Sequence, residues 1–80
     1  MYFVYFLCSV NNPDKTYIGY TSDIVKRLET HNSGGSVHTS KYKPWKMVTY
    51  VAFDYEEKAR NFEKYVKIGS GNAFAKKRFW

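Results

Sequence analysis

Five side chains stand out by type and spacing. Arg27 and His31 lie four residues apart in Ile24-Val25-Lys26-Arg27-Leu28-Glu29-Thr30-His31, so on a helix they share one face. At about 100° per residue, His31 falls beside Ile24 and Leu28 on the apolar stripe, and Arg27 lies just beyond it. Glu63 stands four after Ala59 and next to Phe62, at the margin of a second apolar stripe. Tyr5 and Tyr17 belong to two short strand-like runs and would approach each other if those runs pair, in a register the sequence leaves open. A guanidinium offers a charged fork to an anion, an imidazole and a phenol hold or pass protons, and a carboxylate accepts them or holds a cation. Each also has a plain structural explanation. Arg27 can snorkel, His31 can be a satisfied core residue, Glu63 can pair with Lys67, and a buried Tyr needs only a partner for its hydroxyl.

Charge points the same way. Thirteen Lys and Arg stand against seven Asp and Glu, for a net charge of +6 and a pI near 9.5. Such a balance favours an anionic partner, nucleic acid before all others. Lys41, Lys43 and Lys46 alternate with Tyr42 and Trp45, and Lys76, Lys77 and Arg78 cluster near the end. Basic residues contact phosphates and exposed aromatics stack on bases. The alternative is a solvated surface with Trp45 in the core.

The chain has 80 residues, which fits one domain, 1–80, around a small core. An apolar share of 44% and an aromatic share of 20% exclude a disordered tail. No apolar run approaches the roughly 20 residues that span a bilayer, so no membrane partner is expected. Met1 to Leu7 lacks a basic leader and a small-residue cleavage site, so the expected location is the cytoplasm. Cys8 is the one cysteine, which excludes an internal disulfide and, with two His, a thiolate zinc site. It is expected to be a buried small hydrophobe at a strand end.

The elements that must position these residues follow from pattern. Residues 2–8 are apolar on both faces, which suits a central strand. Asn11-Asn12-Pro13-Asp14 is a turn, and Thr16 to Tyr20 a second strand paired to the first as a hairpin. Gly19 inside that strand marks a close backbone approach or a bulge. Thr21 or Ser22 is expected to cap a helix running to about Asn32, with Asp23 in its first turn and Ile24, Val25 and Leu28 buried. Ser33-Gly34-Gly35 ends it, and a polar loop follows to residue 44. Trp45 to Phe53 reads as a third strand. Asp54 and Glu57 suggest a capping box before a helix over 55–68 with Ala59, Phe62 and Val66 inward. Gly69-Ser70-Gly71 breaks that helix, and a last short one is expected over 72–79. The order, strand-strand-helix-strand-helix-helix, gives an α/β (α+β) fold with a three-stranded antiparallel sheet.

Taken together, Tyr5, the run Tyr17-Ile18-Gly19-Tyr20-Thr21-Ser22-Asp23-Ile24-Val25-Lys26-Arg27-Leu28-Glu29-Thr30-His31-Asn32 and the helix Ala59-Arg60-Asn61-Phe62-Glu63-Lys64-Tyr65-Val66-Lys67 resemble the GIY-YIG endonuclease domain. The likeness covers nearly the whole chain and is nearest to the small stand-alone bacterial members. The first motif reads Phe3-Val4-Tyr5, so its Gly-Ile pair is absent and its Tyr kept. The resemblance implies a metal-dependent DNA endonuclease, by family company in repair or recombination. It implies one divalent ion, Mg²⁺ or Mn²⁺, held by Glu63, in keeping with how Mg²⁺ combines few carboxylates with phosphate and water. It implies that Arg27 braces the scissile phosphate with its charged fork. Tyr17 would act as base or position water, with Arg27 or the metal favouring the phenolate, and Tyr5 would orient water or phosphate. His31 would hydrogen-bond phosphate or a Tyr. An Asn late in the domain supports the site in parts of the family, and Asn72 is the residue here to compare. Tyr5, Tyr17, Arg27 and Glu63 should then face one concavity.

Two rivals compete. One is a nucleic-acid-binding module without catalysis. An RNA-recognition domain begins strand-helix-strand, unlike this chain, but a weak or inactive domain of the same fold stays open. The other is a protein-interaction domain whose aromatics form a dimer interface. The chain has no separate sequence-reading module, so specificity would come from DNA structure, a homodimer or a partner protein.

Overall fold

A strand buried on both faces needs apolar side chains on both, and β1 (Tyr2–Ser9) supplies them from Tyr2 to Cys8. The computed structural model describes all residues, Met1–Trp80, and places β1 at the centre of an antiparallel sheet of order β2-β1-β3. β2 spans Thr16–Thr21 and β3 spans Trp45–Phe53. α1 (Ile24–Ser33) follows β2, a short 3-10 turn (Ser40–Tyr42) precedes β3, and α2 (Glu56–Lys67) and α3 (Gly69–Arg78) close the chain. This is the expected α+β order.

Alternation along β1 sends its side chains to two cores. Val4 and Phe6 pack with Ala59 and Val66 of α2 and Ala75 of α3. Tyr5 and Leu7 pack with Trp45, Met47 and the Ile24 and Leu28 side of α1. α1 and α2 therefore cover opposite faces of the sheet. The β1–β3 register slips between Phe6 and Leu7: Thr49 faces Phe6, but Met47 faces Leu7. Because side chains alternate with period two, this bulge turns Met47 and Trp45 to the α1 face, away from the side their parity with Thr49 and Val51 assigns them.

Five local expectations change. Asp23, not Thr21 or Ser22, caps α1, and its carboxylate accepts the Lys26 N–H at 3.1 Å. Thr21 is still paired to Phe3 in the sheet, and a carboxylate at the helix N-terminus also gains from the helix dipole. Val25 is 67% exposed, because one face of α1 through Ile24, Leu28 and His31 meets the sheet and Val25 lies off it. The capping box does not form. Tyr55 takes the cap position and Asp54 pairs with Lys58 at 3.2 Å. Finally, one extended residue, Ile68, suffices to turn the chain, so α3 starts at Gly69 instead of Asn72. Cys8 is half-buried rather than buried, with its Sγ 3.3 Å from the Pro13 carbonyl oxygen.

Candidate active site

Gly19 faces Tyr5 across the β1–β2 ladder, and Tyr17 faces Leu7, so both phenols lie on the α1 face. A Cβ at position 19 would collide with Tyr5 Oη, sit 2.6 Å from its Cζ and 3.0 Å from Tyr17 Cε2. The missing side chain is thus what lets the Tyr5 ring lie across β2 beside Tyr17. Their ring centroids are 6.2 Å apart. His31 completes the cluster, 5.7 Å from the Tyr5 ring and 5.0 Å from the Tyr17 ring.

His31 reaches that position because it ends the inward stripe of α1, which Gly34 then terminates with a left-handed φ of 83° and an N–H aimed at the His31 carbonyl. Its ring is bonded at both nitrogens: Nε2 to Tyr5 Oη at 2.9 Å and Nδ1 to Thr39 Oγ1 at 2.6 Å. Thr39 is fully buried in the loop after α1, and its carbonyl accepts the Trp45 indole N–H at 2.8 Å. The loop is closed by Asn32, whose amide donates to the Trp45 carbonyl at 3.1 Å and accepts the Trp45 N–H. Thr39 and Asn32 carry no mark in the sequence that singles them out. Thr39 sits in a stretch without periodicity, and its partner becomes visible only when the loop is closed.

Burial sets the protonation states. Tyr5 is pushed up to about 12, first by burial, then by the Tyr17 phenol, with Arg27 pulling the other way and Glu63 adding to the rise. Tyr5 is therefore a neutral hydroxyl at physiological pH. His31 is held below its usual value, mainly by burial and further by the Arg27 guanidinium, so it is a neutral imidazole. A neutral imidazole with oxygens at both nitrogens donates at one and accepts at the other, which makes the Tyr5–His31–Thr39 chain a path for one proton.

Arg27 is exposed on the outer flank of α1 and lines an open cavity of about 410 Å³ with Thr21, Ser22, Asp23, Lys26 and Thr30, all polar or charged residues. Tyr5, Tyr17, His31 and Glu63 are not part of its lining. Glu63 comes from α2 on the opposite face and pairs with Lys67 at 3.1 Å, its side chain 21% exposed. The plain pairing weighed from the sequence is thus present, but an i,i+4 pair of this kind is worth only about 0.3–0.5 kcal/mol, so a stronger cation can displace it. Arg27 and Glu63, from helices on the two faces, both act on the Tyr5 hydroxyl. That hydroxyl lies over Gly19 of β2, an edge strand that α2 crosses from behind. No group of three or more His, Cys, Asp or Glu is placed to hold a metal. Glu63 is the single carboxylate that acts on the cluster, which fits an ion bound largely by phosphate and water.

The basic residues divide. Lys41 is exposed, with its Nζ 5.5 Å from the Tyr42 ring centroid, and Lys15 lies 5.4 Å from the same ring. Lys43 is exposed beside Gly34 at the end of α1, and Lys46 is exposed on β3. Trp45 is buried, so it is a core residue and no stacking surface. Lys76, Lys77 and Arg78 occupy the exposed last turn of α3, where they also suit the helix dipole, on the face away from α1. Asn72 donates to the Val66 carbonyl at 3.4 Å and braces the α2–α3 turn.

The sequence profile of the GIY-YIG catalytic domain matches residues 1–77. The chain belongs to the GIY-YIG family, a nuclease superfamily. It is 46% identical over 69 residues to the UPF0213 protein YsiG of Lactococcus lactis, covering 82% of this chain and 62% of that protein. It is 39% identical over 59 residues to a structure-specific endonuclease subunit SLX1 homolog of Giardia intestinalis, covering 69% of this chain and 16% of that one. The chain thus spans less than two thirds of these relatives' length. Among solved structures, the UPF0213 protein BH0048 of Bacillus halodurans superposes with a TM-score of 0.56 at 28% identity, over 99% of this chain and 87% of the other. The GIY-YIG sheet and helix order is therefore the one seen here. No helix is long and apolar enough to cross a membrane.

Proposed function

We propose that this chain is a metal-dependent endonuclease that hydrolyses DNA phosphodiester bonds, in the cytoplasm and in the service of DNA repair or recombination. The observation that carries the reading is the buried Tyr5–His31–Thr39 chain, with Tyr17 against it and Arg27 beside it in a polar cavity. Arg27, with Lys26 next to it, binds the scissile phosphate and stabilises the charge that develops on it. Tyr5, a neutral hydroxyl, donates to the water or the phosphate, and His31 takes up or returns the proton at Nε2. The Tyr17 hydroxyl makes no hydrogen bond within the protein and serves as the base or as the positioner of the attacking water. A divalent cation at Glu63, Mg²⁺ or Mn²⁺, supplies further charge relief when bound. Lys41 and Lys43 extend the phosphate contacts along the α1 side of the molecule, Lys46 adds charge from the other face of β3, and Lys76, Lys77 and Arg78 offer a second, remote contact. Specificity comes from DNA structure, a second copy of the chain or a partner protein.

One observation favours a weaker alternative, a nucleic-acid-binding module of the same fold: Glu63 is paired with Lys67 and has no second carboxylate to help it. Single-turnover cleavage of labelled duplex, nicked, branched and single-stranded DNA with Mg²⁺ or Mn²⁺ decides between them. Glu63→Gln keeps the shape and removes the charge, so cleavage should vanish while DNA binding persists or tightens. Wild-type cleavage rates in folded Glu63→Gln would remove Glu63 from the chemistry. Binding without cleavage by the unaltered chain would leave the module.

A further inference from the structure

One end of the α1 face carries no helix. α1 covers the Leu7, Met47 and Trp45 end, while Phe3, Tyr50 and Ala52 lie at the other end, with Tyr50 52% exposed. Phe3 and Tyr50 are diagonal neighbours on that face, their ring centroids 5.6 Å apart at 72°, edge to face. Register fixes what borders them. Tyr50 pairs with Tyr5 of the buried cluster, and Phe3 pairs with Thr21, a wall of the cavity that holds Lys26 and Arg27. Asp23 also lines that cavity, its carboxylate engaged by the Lys26 N–H.

We propose that Phe3 and Tyr50 form a stacking subsite for an unpaired base of a DNA strand whose phosphate enters the Arg27 cavity. A base within a duplex already has its faces covered by neighbours, so the exposed Tyr50 ring, backed by half-buried Phe3, selects one that is unstacked. Charge decides the occupant. A second copy would bring another +6 to a face bordered by Lys26 and Arg27, whereas a nucleic-acid strand brings the complementary sign. The subsite rests on the nuclease reading above and narrows it: the substrate carries at least one unpaired nucleotide beside the cut, as in a single strand, a flap or a loop.

Binding tests this apart from cleavage. The Glu63→Gln chain is titrated without divalent metal into fluorescent oligothymidylate and into a duplex of the same length. Adding Tyr50→Thr, which keeps the strand propensity, should weaken single-strand binding roughly tenfold and leave duplex binding within about twofold. Tyr50→Phe, which keeps the ring, should retain the single-strand affinity. Equal losses on both DNAs, or none on either, in protein with unchanged circular dichroism overturn the subsite. A dimer by light scattering that Tyr50→Thr converts to monomer also overturns it, by assigning the face to a second copy. Tyr50-dependent strand binding by a wild-type chain that never cuts would uphold the subsite and remove the nuclease reading. Cleavage indifferent to Tyr50 would do the reverse.

Discussion

The two faces of the sheet are built on different terms. Behind β1, Val4, Phe6, Ala59, Val66 and Ala75 are all fully buried and carry no polar side-chain atom. In front, the buried residues include Tyr5, His31, Thr39, Thr21 and Ser9, each a polar group removed from water. Every buried polar residue of the chain other than glycine lies on this α1 side. Burying such groups costs free energy unless each finds a partner, and each does: no buried side-chain polar atom is left without one. The rear face holds the sheet together, and the front face holds a bonded polar cluster in a fixed arrangement. A domain of 80 residues has little core, so separating the two tasks by the parity of one strand is economical of chain length.

Substitutions that treat the faces differently put this contrast to the test. The largest effect on stability should come from the rear. Phe6→Ala should lower unfolding free energy by roughly 3–5 kcal/mol in a denaturant titration, with cleavage per folded molecule unchanged. The largest effect on rate should come from the front. Arg27→Ala should slow single-turnover cleavage by about two to three orders of magnitude while the denaturation midpoint stays put, because Arg27 is exposed and lies outside both cores. Arg27→Lys should not restore the rate, since an ammonium cannot reproduce the fork. If Arg27→Ala unfolds the chain instead, the division between the faces fails.

A smaller effect should appear where the two tasks meet. Thr39→Val leaves His31 Nδ1 without its hydroxyl and should cost roughly 1–3 kcal/mol of stability. It should also change the pH dependence of cleavage, because the His31 tautomer loses its anchor, and Thr39→Ser should restore both. A stability loss with an unaltered pH profile would make Thr39 a packing residue alone. The smallest effects are in titration. Tyr5 is raised in the folded state, so the native chain holds its proton longer than the unfolded chain, and stability should fall as pH rises from about 10 toward about 12. Ultraviolet titration should show a late tyrosinate signal that Tyr5→Phe reduces, the remainder coming from Tyr20, which is raised by its hydrogen bond to Glu56. His31 is lowered, so the unfolded state protonates first, and stability should decline as pH drops below about 6.5. His31→Gln should flatten that decline.

Much of this was legible in the residues. A short apolar run rich in β-branched and aromatic residues suits a strand covered on both faces, and β1 takes that central place. Gly19 inside a strand marked a close approach or a bulge, of which the structure shows the approach, and the helical stripe through Ile24, Leu28 and His31 turned the imidazole inward. These are local periodicities, fixed by backbone geometry that holds wherever the segment ends up. What the tertiary structure alone decided lies between segments. The bulge opposite Phe6 and Leu7 sends Trp45 and Met47 to the front face, and no alternation rule reveals a skipped residue. Asn32 bonds the start of β3 and closes the loop that carries Thr39 to His31, a contact that exists only once both elements are in place. The hairpin register puts Tyr5 over Gly19, and α2 on the rear face brings Glu63 within electrostatic reach of the same hydroxyl. Which side of a sheet a helix covers, and which residue a strand faces, depend on the sum of contacts made by the whole chain. Sequence pattern therefore determined what each element presents, and packing decided which groups meet.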